Sequence, residues 1–170
     1  MAAGPSGEIS SACRLSAEED LPGKLAELAE LVEMLSGLGR SERIEALIGL
    51  AESYREVPER LASRPFPERN KVPACESQAY VFAEPRPDGS LDFHFAVENP
   101  QGVSAKALAA ILSRTLSGES LRAVSGVPAE VVERLFGREL SLGKSLGLTG
   151  MLLAVQREAR SRLETGSTKT

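Results

Sequence analysis

Apolar positions change their period twice along this chain. Leu21, Leu25, Leu28, Val32 and Leu35 recur every three or four residues, which places them on one face of a helix, and Gly37 and Gly39 stop it. Ser41 then reads as the N-cap of a second helix, with Ile44, Leu47, Ile48 and Ala51 on its inner face. Pro58, Pro65 and Pro67 mark a loop, since proline brings no backbone donor to a helix or a ladder. The period next falls to two. Ala79, Val81 and Ala83 alternate with Tyr80, Phe82 and Glu84, and Leu91, Phe93, Phe95 and Val97 alternate with Asp92, His94 and Ala96. Between them Asp88-Gly89 supplies turn chemistry, so the pair predicts a hairpin with a loop longer than two residues.

Beyond Pro100 the helical period returns. Val103, Ala107, Leu108, Ile111, Leu112 and Leu116 form an apolar face ending at Gly118. Short helices follow, one from Glu119 and one from Pro128 with the proline at N1. A final helix over 144–163 carries Leu146, Leu148, Met151, Leu152 and Val155. Residues 1–20 and 164–170 carry no such period and read as flexible tails on one domain, 21–163. The order helix, helix, strand, strand, helices predicts an α+β fold: a small antiparallel sheet of about three strands with helices packed on one face, the third strand expected within 70–78.

Composition narrows the chemistry. The 170 residues include two cysteines and one histidine, too few for a structural zinc site of the four-cysteine or two-cysteine, two-histidine kind. They also disfavour a disulfide scaffold, and any histidine-dependent triad would have to be built on His94, which strand alternation turns to solvent. The 20 basic and 24 acidic side chains leave a net charge of -4, which is no footprint for nucleic acid or an anionic membrane. That charge is uneven: residues 15–60 hold 11 acidic and 5 basic side chains, a balance of -6, and the remainder is +2. The first residues lack the basic and apolar regions of a secretory signal, and no apolar run is long enough to span a bilayer, so the expected compartment is a reducing cytoplasm. There a cysteine is a working or an inert thiol rather than half of a bridge. Gly143, Gly147 and Gly150 have no phosphate-binding spacing and read as sites of close packing.

One segment concentrates the possibilities: Asn70-Lys71-Val72-Pro73-Ala74-Cys75-Glu76-Ser77-Gln78, between the proline-rich loop and the first strand. A loop tip beside a scaffold is where a side chain can be presented to a partner. Arg69 and Lys71 would favour a thiolate at Cys75, and Glu76 would oppose it. From residue types alone, Cys75 is either a small buried hydrophobe or a reactive thiol.

Val72-Pro73-Ala74-Cys75-Glu76-Ser77-Gln78 resembles the cysteine loop of the SufE family, sulfur-acceptor proteins of iron–sulfur cluster assembly. The surrounding order is similar too: Arg43-Ile44-Glu45-Ala46-Leu47-Ile48 in the helix pair, the proline-rich stretch, Arg69-Asn70-Lys71-Val72, the hairpin, the apolar helix from Lys106 to Ser113, Ser117-Gly118, and the late segment Leu140 to Leu148. The likeness spans about residues 21–163 and implies a SufE/IscU-like fold. It implies that Cys75 accepts persulfide sulfur from a pyridoxal-phosphate cysteine desulfurase and stimulates that enzyme. The rest of the loop, with Lys144, would meet the partner. A downstream iron–sulfur scaffold complex would take the sulfur. Such a carrier needs no cofactor or metal of its own, makes covalent transfers without being an enzyme in the ordinary sense, and is expected as a monomer or weak homodimer. Two other readings stay beside it: a non-catalytic desulfurase-binding activator, and a sulfur relay to another pathway. A thiol peroxidase is disfavoured, because no second cysteine lies near Cys75 to resolve a sulfenic acid. Cys13, in the expected tail, reads as an idle surface thiol.

The chain departs from the family pattern at three places. Ala74 stands where the family commonly has glycine, so a positive φ there would strain it. Glu98-Asn99-Pro100-Gln101 replaces an acidic, serine-containing run, and Lys144 stands where arginine is usual, keeping the charge but losing the forked geometry of a guanidinium.

Overall fold

A computed structural model describes residues 23–167. Two helices lead, α1 (Gly23–Ser36) and α2 (Arg40–Glu52), followed by a proline-rich loop that closes in a 3-10 turn at Glu68–Asn70. The hairpin β1 (Ala79–Pro85) and β2 (Leu91–Val97) comes next, then α3 (Val103–Leu116), the short α4 (Leu121–Ser125) and α5 (Glu130–Phe136), and the long α6 (Leu142–Ser167). This is the α+β arrangement the periodicity predicts, with one difference in the sheet.

β1 and β2 pair antiparallel from Ala79↔Val97 to Pro85↔Leu91. Gly89, at φ +89, makes the turn, where the Asp88 carboxylate accepts from the Ser90 N–H and hydroxyl. The expected third strand is reduced to a single bridge, Lys71↔Tyr80. The Val72 N–H donates to the Ala79 carbonyl at 2.8 Å, and there the ladder ends: Pro73 has no N–H, and Ala74 turns the chain away in the left-handed region. The sheet therefore has two strands rather than three. On the other edge of β2, the Val57 N–H donates to Phe95, and the Ser117 hydroxyl accepts from the Phe93 N–H, so loop segments satisfy groups that a strand would otherwise pair.

The sheet is covered on both sides. Val81, Leu91, Phe93, Phe95 and Val97 face the main core, while Tyr80, Phe82 and Ala96 pack beneath Val57 and Phe66 of the proline-rich loop. α3 is the central pillar and lies against β2, α1, α2 and α6. Its Leu108, Ile111, Leu112 and Leu116 are fully buried, each stabilising the fold by roughly 1.5–3 kcal/mol relative to exposure. Gln156 of α6 ties α4 in place by donating to the carbonyls of Val124 and Val127.

Several local expectations change. α2 is capped by Gly39 rather than Ser41, because the Glu42 carboxylate accepts the Gly39 N–H at 3.1 Å and starts the helix earlier. Ile44 and Ile48 are not on its inner face: they are 48% and 47% exposed, and Leu47 alone of the expected inner face is buried. Both isoleucines instead line a hollow of about 500 Å³ with Phe136, Leu140, Val103 and Lys144. Of the apolar residues that the final helix carries, Leu146 is 52% exposed, whereas Leu148, Met151, Leu152 and Val155 are buried. α6 also starts earlier and ends later than its periodicity suggests, running to Ser167. His94 is half-buried rather than solvent-facing, since its Nε2 lies 3.1 Å from Glu84 Oε2, and Glu84 also takes a forked hydrogen bond from Arg60. The hydrogen bond from Arg60, with a smaller contribution from His94, holds the Glu84 carboxyl below its ordinary range. The expected tail 1–20, Cys13 and Leu21 lie outside the described residues.

Candidate functional site

Residues 72–78 form a loop held at both ends by backbone hydrogen bonds. Val72 is buried and bonded to Ala79; at the other end the carbonyls of Ser77 and Gln78 accept from Asn99 and Glu98. Between these ties Gln78 N–H closes a turn on the Cys75 carbonyl. Ala74, at φ +56, and Gln78, at φ +50, are the only non-glycine positive-φ positions among the described residues. They flank Cys75 on either side. The strain expected where alanine replaces the family's glycine is therefore present, about 1–2 kcal/mol per left-handed residue.

The loop lies on α6, and glycines make the seat. A Cβ added at Gly147 would sit 3.1 Å from Cys75 Cα and 3.3 Å from Sγ; at Gly150 it would meet Val72 Cγ1 at 2.9 Å, and at Gly143 it would collide with the Glu76 carboxylate. The spacing i, i+4, i+7 puts all three on one helical stripe. The close packing read from these glycines is correct, and its partner is the cysteine loop. Gly102 does the same on the opposite side, where a Cβ would meet Val97 at 2.9 Å and Ser77 at 3.1 Å.

Cys75 is a free, half-buried thiol packed against the edge of the main core. It opens on a recess of about 300 Å³ lined with Glu76, Ser77, Gly102, Val103, Gly147 and Lys144, among others. The loop residues thus divide. Cys75, Glu76 and Ser77 meet Lys144 around the recess, Val72 and Pro73 lie further along the same face of α6 beside Gly150, and Ala74 and Gln78 are exposed bends rather than lining. Lys144, Val103 and Ser104 also border the 500 Å³ hollow, so recess and hollow adjoin. Glu98 stands outside both and pairs with Arg64 at 3.6 Å. Apolar spacing assigns Ile44, Ile48 and Val103 to the core, yet all three contribute apolar lining to the hollow; no periodicity distinguishes a core stripe from one facing a hollow.

Among the described residues no group of three or more His, Cys, Asp and Glu could hold a metal ion, and no helix is long and apolar enough to cross a membrane.

Fold and site together define an α+β domain that presents one thiol from a tethered loop. The chain belongs to the SufE family: the model of the SufE Fe-S metabolism associated domain matches residues 29–159, most of its length, and places the protein in iron–sulfur metabolism. No curated protein matches the sequence. Among solved structures, the solution structure of a hypothetical protein from Thermus thermophilus is similar, with TM-score 0.62 and 26% identity over 81% of this chain and 96% of that one.

Proposed function

We propose that Cys75 accepts sulfur from a cysteine desulfurase and carries it as a persulfide toward iron–sulfur assembly. The observation that carries this reading is the placing of a free thiol at the mouth of a recess, on a loop fixed at its ends and bent at Ala74 and Gln78. The chemistry is an exchange at sulfur, with the thiolate as nucleophile. The Cys75 thiolate attacks the outer sulfur of the desulfurase persulfide. A new S–S bond forms on Cys75, the bond from that outer sulfur to the partner's cysteine breaks, and the partner leaves as thiolate. The proton released by Cys75 matches the one the leaving thiolate takes up, and no external oxidant or reductant enters. Where the sulfur rests on α6, Gly147 offers it only backbone and hydrogen, so the helix seat itself supplies no competing nucleophile.

The test is to incubate the protein with a desulfurase and cysteine and weigh it intact. The expected result is a gain of one sulfur atom's mass that disappears in Cys75→Ser. Absence of the adduct on the wild-type chain overturns the reading. Full stimulation of cysteine turnover by Cys75→Ser would instead make the protein an activator whose thiol is structural.

A further inference from the structure

The arginines of this acidic protein are distributed in two populations. Of the fourteen in the described region, seven hold an ion pair within 4.0 Å of a carboxylate. Of the seven without one, four gather on a single stretch of surface: Arg69 at the 3-10 turn, and Arg157, Arg160 and Arg162 on the second half of α6. They border two adjoining hollows, of about 820 and 560 Å³, which share Pro73 and Arg157 as a common wall. Pro73 is two residues from Cys75, so this surface begins at the foot of the cysteine loop, on the side away from Lys144 and the recess.

The charge there opposes that of the molecule. Lys71 adds a fifth basic group, against Glu68, Glu158 and Glu164, so the surface is basic while the chain carries -4. It is also partly apolar. Phe82 and Leu61 line the larger hollow and Leu153, 47% exposed, the smaller. Guanidiniums without an ion pair beside exposed hydrocarbon complement a polypeptide that brings carboxylates together with an apolar side chain. The combined length and volume exceed what a small anion fills.

We propose that this groove docks an acidic, apolar-anchored surface segment of the cysteine desulfurase, which holds the partner's persulfide over the Cys75 loop. The proposal rests on the reading of Cys75 as the sulfur acceptor. Attraction between unlike surfaces speeds encounter and fixes orientation, and it weakens as salt screens it.

The experiment measures the dissociation constant of the complex with resting desulfurase, without cysteine, by fluorescence anisotropy at low and high salt. Arg157→Glu/Arg162→Glu should weaken binding by about tenfold or more at low salt, with the gap closing to about twofold near 0.5 M salt. Arg122→Glu, which reverses an exposed arginine without an ion pair on α4, should bind like the wild type. The neutral pair Arg157→Gln/Arg162→Gln should fall between. A double reversal that keeps wild-type affinity at low salt overturns the docking surface, as does a loss that is equal in Arg122→Glu. Intact mass after incubation with cysteine separates the two claims. Weakened binding with no sulfur on the wild-type chain would sink the carrier and leave the docking surface, whereas sulfur transfer with unaltered affinity would do the reverse.

Discussion

Replacing Gly147 by alanine tests whether the helix seat holds the thiol in. The new methyl would stand 3.1 Å from Cys75 Cα and 3.3 Å from Sγ, against about 3.5–4.0 Å for a relaxed carbon contact. Something must give by several tenths of an ångström. α6 is anchored by Leu148, Met151 and Leu152 in the core, whereas the loop is tied only by Val72, Ser77 and Gln78, so the loop yields. Overpacking of this size costs about 1–3 kcal/mol, and the alanine returns about 0.8–1.0 kcal/mol of helix propensity. Global stability should therefore fall by about 0–2 kcal/mol. The propensity gain, however, is present whether the loop is seated or lifted, so the steric cost falls on the seated state alone. At 1.4 kcal/mol per tenfold, the lifted population should rise by about 5- to 150-fold. The assay is the rate of alkylation by iodoacetamide in a Cys13→Ser background, where Cys75 is the reporting thiol. Gly49→Ala is the control: it lies mid-helix with nothing within 4 Å of an added Cβ, so it should gain stability without altering the rate. Alkylation of Gly147→Ala at the wild-type rate, in a protein that remains folded, would refute the reasoning.

Ala74→Gly should act in the opposite direction, relieving about 1–2 kcal/mol of left-handed strain while adding roughly 0.5–1 kcal/mol of unfolded-chain entropy; alkylation of Cys75 should slow, and the urea midpoint should hold or rise. Tyr54 donates to the Phe95 carbonyl and accepts from the Val97 N–H, and burial pushes its phenol from 10.0 to about 12. Because its folded pKa is raised, its contribution is complete below pH 10.0 and is lost as pH climbs toward about 12. Tyr54→Phe should cost about 1–3 kcal/mol at neutral pH, by leaving the Val97 N–H unpaired, and should flatten denaturation midpoints across that alkaline window. Gln156→Leu should cost a similar 1–3 kcal/mol by stripping the carbonyls of Val124 and Val127 of their donor, measured by chemical denaturation.

The elements are legible because their periods are clean. Alternation from Ala79 to Val97 marks both strands, and the three-to-four spacing of α3 marks the pillar of the core. Apolar spacing fails when it is used to decide what a face touches. Ile44 and Ile48 share the inward spacing of Leu47, but the turn from α5 into α6 stands off from α2 and leaves them on a hollow. The third strand fails through backbone chemistry that is visible in the sequence, since Pro73 stands in the expected ladder. At the site, the glycine-to-alanine departure at position 74 is readable as a conditional strain, and the structure meets the condition. The seat is half readable: Gly143, Gly147 and Gly150 announce close approach, but no local pattern names the segment that approaches from about seventy residues away.

α6 also acts as a ruler. Gly143 lies beneath Glu76 near its start, and Arg162 borders the basic hollow near its end. At 1.5 Å per residue those points are about 28 Å apart along one rigid rod. A molecule that touches both at once must have a footprint as wide as a small domain, and its two contact points must be held at that separation before it arrives. The helix thereby screens by dimension: short peptides and lone thiols can satisfy one end, and a folded partner of matching span can satisfy both.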